Sequence, residues 1–269
     1  MNVFLIVLTS CGYVSASVLA VAQLYDGRYR RWSYLGGGAG LVSETLWLIR
    51  QGAFEGFRAM MAVPDWVGVV VWGALMVSVW FVRAKKWVPM LAFVYSTVSV
   101  LWLLSQLLSH RALIVPAFIS PLAVGVWSSA SVSAVCFLLA LVFGIMYLEK
   151  ERELRHKRAR LFYYQLPALG ELDRWAGRFV GLGWLLYTPV WLALLFLTHG
   201  VSQALWCTRA RQVGATLIWL VYGLAAMMRV LGRGDGHGMA RGAMWAFLSV
   251  LLNAWGIDSI CVGPPHAAL

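Results

Sequence analysis

Charge is what this chain most lacks. Acidic and basic side chains together make up 12% of its residues and 61% are hydrophobic, whereas an average soluble domain is about a quarter charged. No polar stretch is long enough for a second, soluble domain. The four cysteines, Cys11, Cys136, Cys207 and Cys261, form neither a CxxC pair nor a CxxCH site, which excludes a thioredoxin-like dithiol and covalent haem attachment. Enzyme signatures are missing as well: there is no phosphate loop, no zinc-spaced cluster and no Ser/His/Asp order at a nucleophile elbow. The first residues lack the basic n-region of a signal peptide, because the first arginines follow the opening apolar run. That run reads as an uncleaved first span.

Long apolar runs fill the space that charge vacates. Runs near the twenty residues needed to cross a bilayer occupy about 2–23, 33–50, 66–82, 87–108, 121–148, 176–198, 214–231 and 242–260. The expected fold is therefore an all-α polytopic membrane protein of eight transmembrane helices, with seven as the count if one of the two short runs, 33–50 or 66–82, does not cross. The net charge of +11 raises the question of nucleic acid, but the excess lies in short connections between apolar runs. Connections after spans one, three, five and seven hold seventeen of the 22 basic residues, among them Arg28, Arg83, Lys150 and Arg233; Arg50, Arg58, Arg111, Arg209 and Arg211 make up the rest. This is a topology signal that puts both termini outside and the odd-numbered connections in the cytoplasm, with the lipid bilayer as partner and no nucleic-acid site.

Few residues in the first half suggest chemistry. Gly36-Gly37-Gly38 lies inside span two and permits close helix contact. Glu44, in the same span, is an intramembrane carboxyl and so a functional question by default. Its bland alternatives are pairing with Arg50 or an inter-helical hydrogen bond. Residues 149–160 continue span five as a charged helix with i, i+4 pairs such as Glu151–Arg155 and Glu153–Lys157, either a solvated extension beside anionic headgroups or a docking site for a cytoplasmic partner.

The stretch Trp206 to Arg229 organises the second half. A short polar segment, Trp206 to Gly214, carries Arg209 and Arg211 into the apolar helix that begins at Ala215. An indole and two guanidinium groups at the mouth of a membrane helix make a platform for a flat, acidic ligand; the bland alternative is an interfacial tryptophan with snorkelling arginines. Of five histidines, His156 and His237 fall among basic residues on the cytoplasmic side. His110, His199 and His266 fall outside, near helix ends, and imidazole is the usual axial ligand of haem iron. Cys207 and Cys261 share that side, with or without a bond between them.

The order of motifs across roughly 120–266 resembles the integral-membrane cytochrome c assembly superfamily, most closely its HemX-type branch, related to the CcsA and CcmC haem-handling proteins. Tyr147-Leu-Glu-Lys-Glu151-Arg152 is similar to the family's "LYL-x-x-ER" exit from span five. Leu166-Pro-Ala-Leu-Gly-Glu-Leu-Asp173 is similar to its "LP-x-L-x-x-LD" opening of span six. Trp206 with Leu217-Ile-Trp-Leu-Val-Tyr222 resembles "W-x-DPKE … LITWLVY", and Trp255-Gly256-Ile … Pro265-His266 resembles the "F-G-V-N … LHS" tail.

The resemblance implies an N-terminal four-helix region, 1–119, and an assembly-like four-helix region, 120–269, in a bacterial plasma membrane. It also implies non-covalent haem b held by histidines around an external tryptophan-rich segment. Three family positions are changed. The histidine at the outer start of span five falls on Val126, beside Trp127; the one late in span seven falls on Met227; and the acidic segment after Trp206 reads Arg209-Ala-Arg211. Only the tail histidine survives, as His266.

Candidate haem contacts are then His266 and His110 as iron ligands, with Met227, His199, Trp127, Trp206, Arg209 and Arg211 around them. Methionine can ligate haem iron, and arginines suit haem propionates. Three functions stay open: a haem-binding or haem-handling protein, a non-catalytic partner subunit of a cytochrome c assembly system that has lost its haem ligands, or a small-anion transporter resting on Glu44 and the external arginines.

Overall fold

The computed structural model describes residues 2–24, 27–55, 63–85, 87–108, 121–155, 166–197, 205–231 and 236–253. These are all-helical and include eight α-helices: α1 (Asn2–Gln23), α2 (Arg30–Arg50), α3 (Val63–Lys85), α4 (Met90–Leu108), α5 (Pro121–Arg155), α6 (Leu169–Leu197), α7 (Leu205–Val230) and α8 (Gly236–Leu251). Six of them, all but α2 and α8, are long and apolar enough to cross a membrane. The chain is thus a helical protein with several membrane-spanning candidates.

Several helices begin earlier than their apolar runs, α6 and α7 most of all. α7 starts at Leu205, so the polar segment before Ala215 is helix, since hydropathy marks where a helix meets hydrocarbon and not where it begins. Alanine, arginine and glutamine are good helix formers whatever surrounds them. α6 likewise starts at Leu169, with Glu171 in its first turn, where a carboxylate favours the positive end of the helix dipole. The charged extension of α5 is helical to Arg155, and Arg155 Nη2 lies 2.7 Å from Glu151 Oε1, as its i, i+4 spacing requires.

The helices pack as two four-membered rings. In the first, α1 touches α2 and α4, while α3 touches α2 and α4; in the second, α5 touches α6 and α8, while α7 touches α6 and α8. α5 also meets α3 and α4, which joins the rings. An aromatic cluster secures this junction: Phe81 of α3 stacks on Trp87 at 5.6 Å and meets Trp175 of α6 edge-on at 4.8 Å, while Phe143 of α5 stacks on Phe179 of α6. Ring neighbours run antiparallel, as shown by Ser10 with Trp102, Ser17 with Ser96, and Asp173 with Arg229. Arg30, Arg83, Lys150 and Arg229 therefore lie at one end, the basic end.

α2 is built inside out. Its buried face reads Ser33, Gly37, Gly40, Ser43, Glu44, Trp47, Leu48, while Trp32, Leu35, Val42, Leu46 and Ile49 are exposed. That pattern suits a helix whose outer surroundings are lipid and whose polar groups must be satisfied within the protein. It also explains why α2 falls short of the six most apolar helices. Its small residues bring α1 close: a Cβ at Gly12 would sit 2.7 Å from Gly40 Cα. Substituting Gly12→Leu should force the pair apart and cost about 1–3 kcal/mol by overpacking, whereas Gly38→Ala, with nothing near its Cβ position, should not destabilise. Thermal melts of detergent-purified variants followed by size-exclusion fluorescence would check both.

Candidate functional site

Toward the end opposite the basic one, α6 and α7 pack indoles against each other. On α6, Trp184, Thr188 and Trp191 follow i, i+4, i+7 spacing and so share a face; on α7, Gln212, Thr216 and Trp219 do the same. The faces lock together. Trp184 Nε1 donates to the Trp219 carbonyl at 3.1 Å, Trp219 Nε1 donates to Thr188 Oγ1 at 3.1 Å, and Trp191 Nε1 donates to Thr216 Oγ1 at 3.0 Å. Trp191 and Trp219 stack at 4.5 Å with planes 11° apart. Every indole N–H of the ladder is thereby satisfied, as a site without water demands.

Pro189 lies in the same stretch of α6 and removes one backbone donor there. The ladder rises toward the start of α7, where Trp206, Arg209 and Arg211 stand on helical backbone. Arg209 holds the register position one turn before Gln212, in line with the ladder; the side chains of all three fall outside the described residues.

Among the other sequence candidates, Trp127 is half-buried near the start of α5. One turn further in, Ser131 Oγ donates to the Trp127 carbonyl and accepts from Trp66 Nε1 of α3. Met227 is placed differently. Phe137 of α5 stacks on Tyr222 of α7 at 3.6 Å, so the two helices are level there. Trp127 lies ten residues from Phe137 toward one end and Met227 five residues from Tyr222 toward the basic end, a separation of about 22 Å along the bundle at 1.5 Å per residue. Met227 is also 61% exposed on the outer surface. The structure does not bring it together with Trp127. His110, His199 and His266, with Cys261, lie outside the described residues, as does the Glu153–Lys157 pair. Among the described residues no three of His, Cys, Asp and Glu gather closely enough to hold a metal ion.

Just past Met227, Arg229 Nη1 and Nη2 each lie 2.8 Å from an oxygen of Asp173. This fork joins the opening of α6 to the end of α7, so Asp173 has a structural task. Lys150 Nζ has a related one, donating to the carbonyls of Leu166 and Pro167 and tying the exit of α5 to the same opening.

Two features escaped the sequence reading. One is the indole ladder, which the Trp/Thr spacing on two neighbouring spans could have signalled. The other is Asp65, which precedes its apolar run and receives Trp47 Nε1 at 3.1 Å and Gln51 Nε2 at 3.2 Å. A cavity of about 1010 Å³ opens where the rings meet, apolar except for Ser96, Thr97 and Arg241; neither Trp127 nor Met227 lines it.

No protein-family model, curated protein or solved structure matches the chain. The Arg229–Asp173 fork gives a direct check of the second ring's assembly. Both partners are about a quarter exposed, so Arg229→Ala and Asp173→Asn should each lower stability by about 1 kcal/mol. A double-mutant cycle on thermal midpoints should show that the two losses overlap.

Proposed function

We propose that this chain is a haem-handling integral membrane protein of cytochrome c assembly or tetrapyrrole-regulating type, and not an enzyme. In this reading it resides in a bacterial plasma membrane, crosses it eight times with both termini outside, and holds haem b non-covalently at the outward end of the second ring. The observation that carries the reading is the Trp184–Trp219–Trp191 ladder, which climbs to that end beneath Arg209 and Arg211. Stacked indoles suit the face of a porphyrin, and guanidinium forks suit its propionates. The motif order from Tyr147 to His266 supports the same assignment.

His266 follows α8 in the sequence, His110 follows α4 and His199 follows α6; in this reading they are brought to the ladder's end. Imidazole there would supply the axial bond to iron, with Trp127 and Trp206 flanking it. Met227 has no part in this arrangement.

One observation favours a second reading, that of a partner subunit without haem. Met227, at a family histidine position, faces outward, and Val126 and Arg209 replace two further family residues. The same experiment separates the two. Haem titrated into detergent-purified protein should produce a saturable Soret band that weakens in His266→Ala or His110→Ala. In Arg209→Ala/Arg211→Ala it should weaken several-fold, as expected for two lost propionate contacts. A preparation that stays colourless with added haem and carries a stoichiometric membrane partner would replace the haem reading with the partner-subunit one.

A further inference from the structure

The first ring buries a carboxyl that the haem reading does not use. Glu44, about two-thirds of the way along α2, is 0% exposed. The Tyr13 hydroxyl donates to its Oε2, while Oε1 has no hydrogen-bond partner among the described residues. That free oxygen points at α3 where Gly68 leaves room: a Cβ there would sit 3.5 Å from Oε1 and 3.3 Å from Trp102 of α4. No described lysine, arginine or histidine pairs with Glu44. An ionised carboxylate buried without a counter-charge is far costlier than a neutral acid.

Glu44 belongs to a file of polar groups along the buried face of α2. Toward the far end, Trp47 lies one turn on, and its indole together with the Gln51 amide holds Asp65 of α3. Toward the basic end, Gly40 admits the ring of Tyr13, and Gly37 admits the hydroxyl of Tyr95 from α4, so near that a Cβ at Gly37 would overlap it. Ser33, one turn further, is fully buried and its Oγ also has no hydrogen-bond partner among the described residues. Helices α1, α3 and α4 thus turn phenol, carboxyl and indole groups onto α2, while Trp32, Leu35, Val42, Leu46 and Ile49 of α2 face away.

We propose that Glu44 is a reversible proton-binding site within the first ring, reached from the far end by way of Asp65. Loading adds one proton to a carboxylate oxygen and neutralises the side chain; unloading returns that proton along the same file. The titratable and charged groups that bear on it are Tyr13 from α1, Asp65 from α3, Tyr95 from α4, and Tyr34 and Arg50 from α2 itself. Arg50 lies six residues from Glu44, about 9 Å along the helix, and its Nη1 is buried without a hydrogen-bond partner among the described residues. A proton is the ligand these contacts fit, since a metal cation needs about six oxygen ligands and the face of Gly68 offers none.

Infrared spectroscopy of the full chain in lipid nanodiscs reads the site directly. Wild-type protein should show a protonated-carboxyl carbonyl stretch that fades on alkaline titration, shifts in deuterium oxide and is missing from Glu44→Gln. Dicyclohexylcarbodiimide, which reacts with protonated carboxyls in apolar surroundings, should label the Glu44 peptide several-fold more at mildly acidic than at alkaline pH. In Asp65→Asn the band should remain while its deuterium exchange slows several-fold. If folded wild-type protein lacks the band and the adduct, or carries both on Asp65, the site is overturned; unchanged exchange in Asp65→Asn overturns the route. Should Glu44→Gln fail to fold, the wild-type titration and the mapped adduct still decide.

Discussion

The contact between Gly12 and Gly40 sets the geometry of the first ring. Backbones that approach this closely gain dispersion energy along their length and exclude both water and lipid. They also fix the height of α1 against α2, which is why Tyr13 meets Glu44 and Thr9 meets Ser43 at 3.0 Å. A wider crossing would leave those polar groups unpaired in an apolar interior, where each costs on the order of 1–3 kcal/mol. Small residues and buried polar groups therefore depend on one another here: the former bring the helices close enough for the latter to be satisfied.

The second ring solves the same problem with aromatic side chains. Indole N–H groups donate to threonine hydroxyls and a backbone carbonyl, so broad apolar rings occupy the interface without stranding their polar atoms. Phe137 lies against Tyr222 and against Gly183, whose missing side chain makes room for the ring. At the basic end the ring closes with charge: the Asp173–Arg229 fork joins α6 to α7, and the Lys150 ammonium ties α5 to the carbonyls of Leu166 and Pro167. The interior thus grades from stacked indoles to ion pairs along its length.

Much of this architecture is legible in the sequence, because hydrophobic run length and the placement of arginines and lysines obey strong physical constraints. Each of the eight apolar runs overlaps a described helix, and the helical extension to Arg155 follows from charges at i, i+4. Of the alternatives for Glu44, the inter-helical hydrogen bond is the one found, with Tyr13 as donor. That partner is thirty-one positions distant, and only helix–helix register selects it. The same limit hid Asp65 and the indole ladder, whose meaning comes from the facing helix. Helix starts were less legible than helix existence: residues 205–213 are helical without being apolar. Met227 shows a further limit, since similarity of local sequence assigned it a role that its height and outward orientation do not support.

The inverted face of α2 bears on how the chain enters a bilayer. With its serines, glycines and carboxyl still uncovered, α2 would present a poor stop to a translocon that weighs each segment alone, whereas α1 is long and apolar enough to cross a membrane. In a membrane, the few residues between α1 and α2 would let the two helices leave the channel as one hairpin, with Tyr13 covering Glu44 before lipid reaches it. Biogenesis of the first ring would then proceed by pairs, and α1 would serve α2 as an intramolecular chaperone.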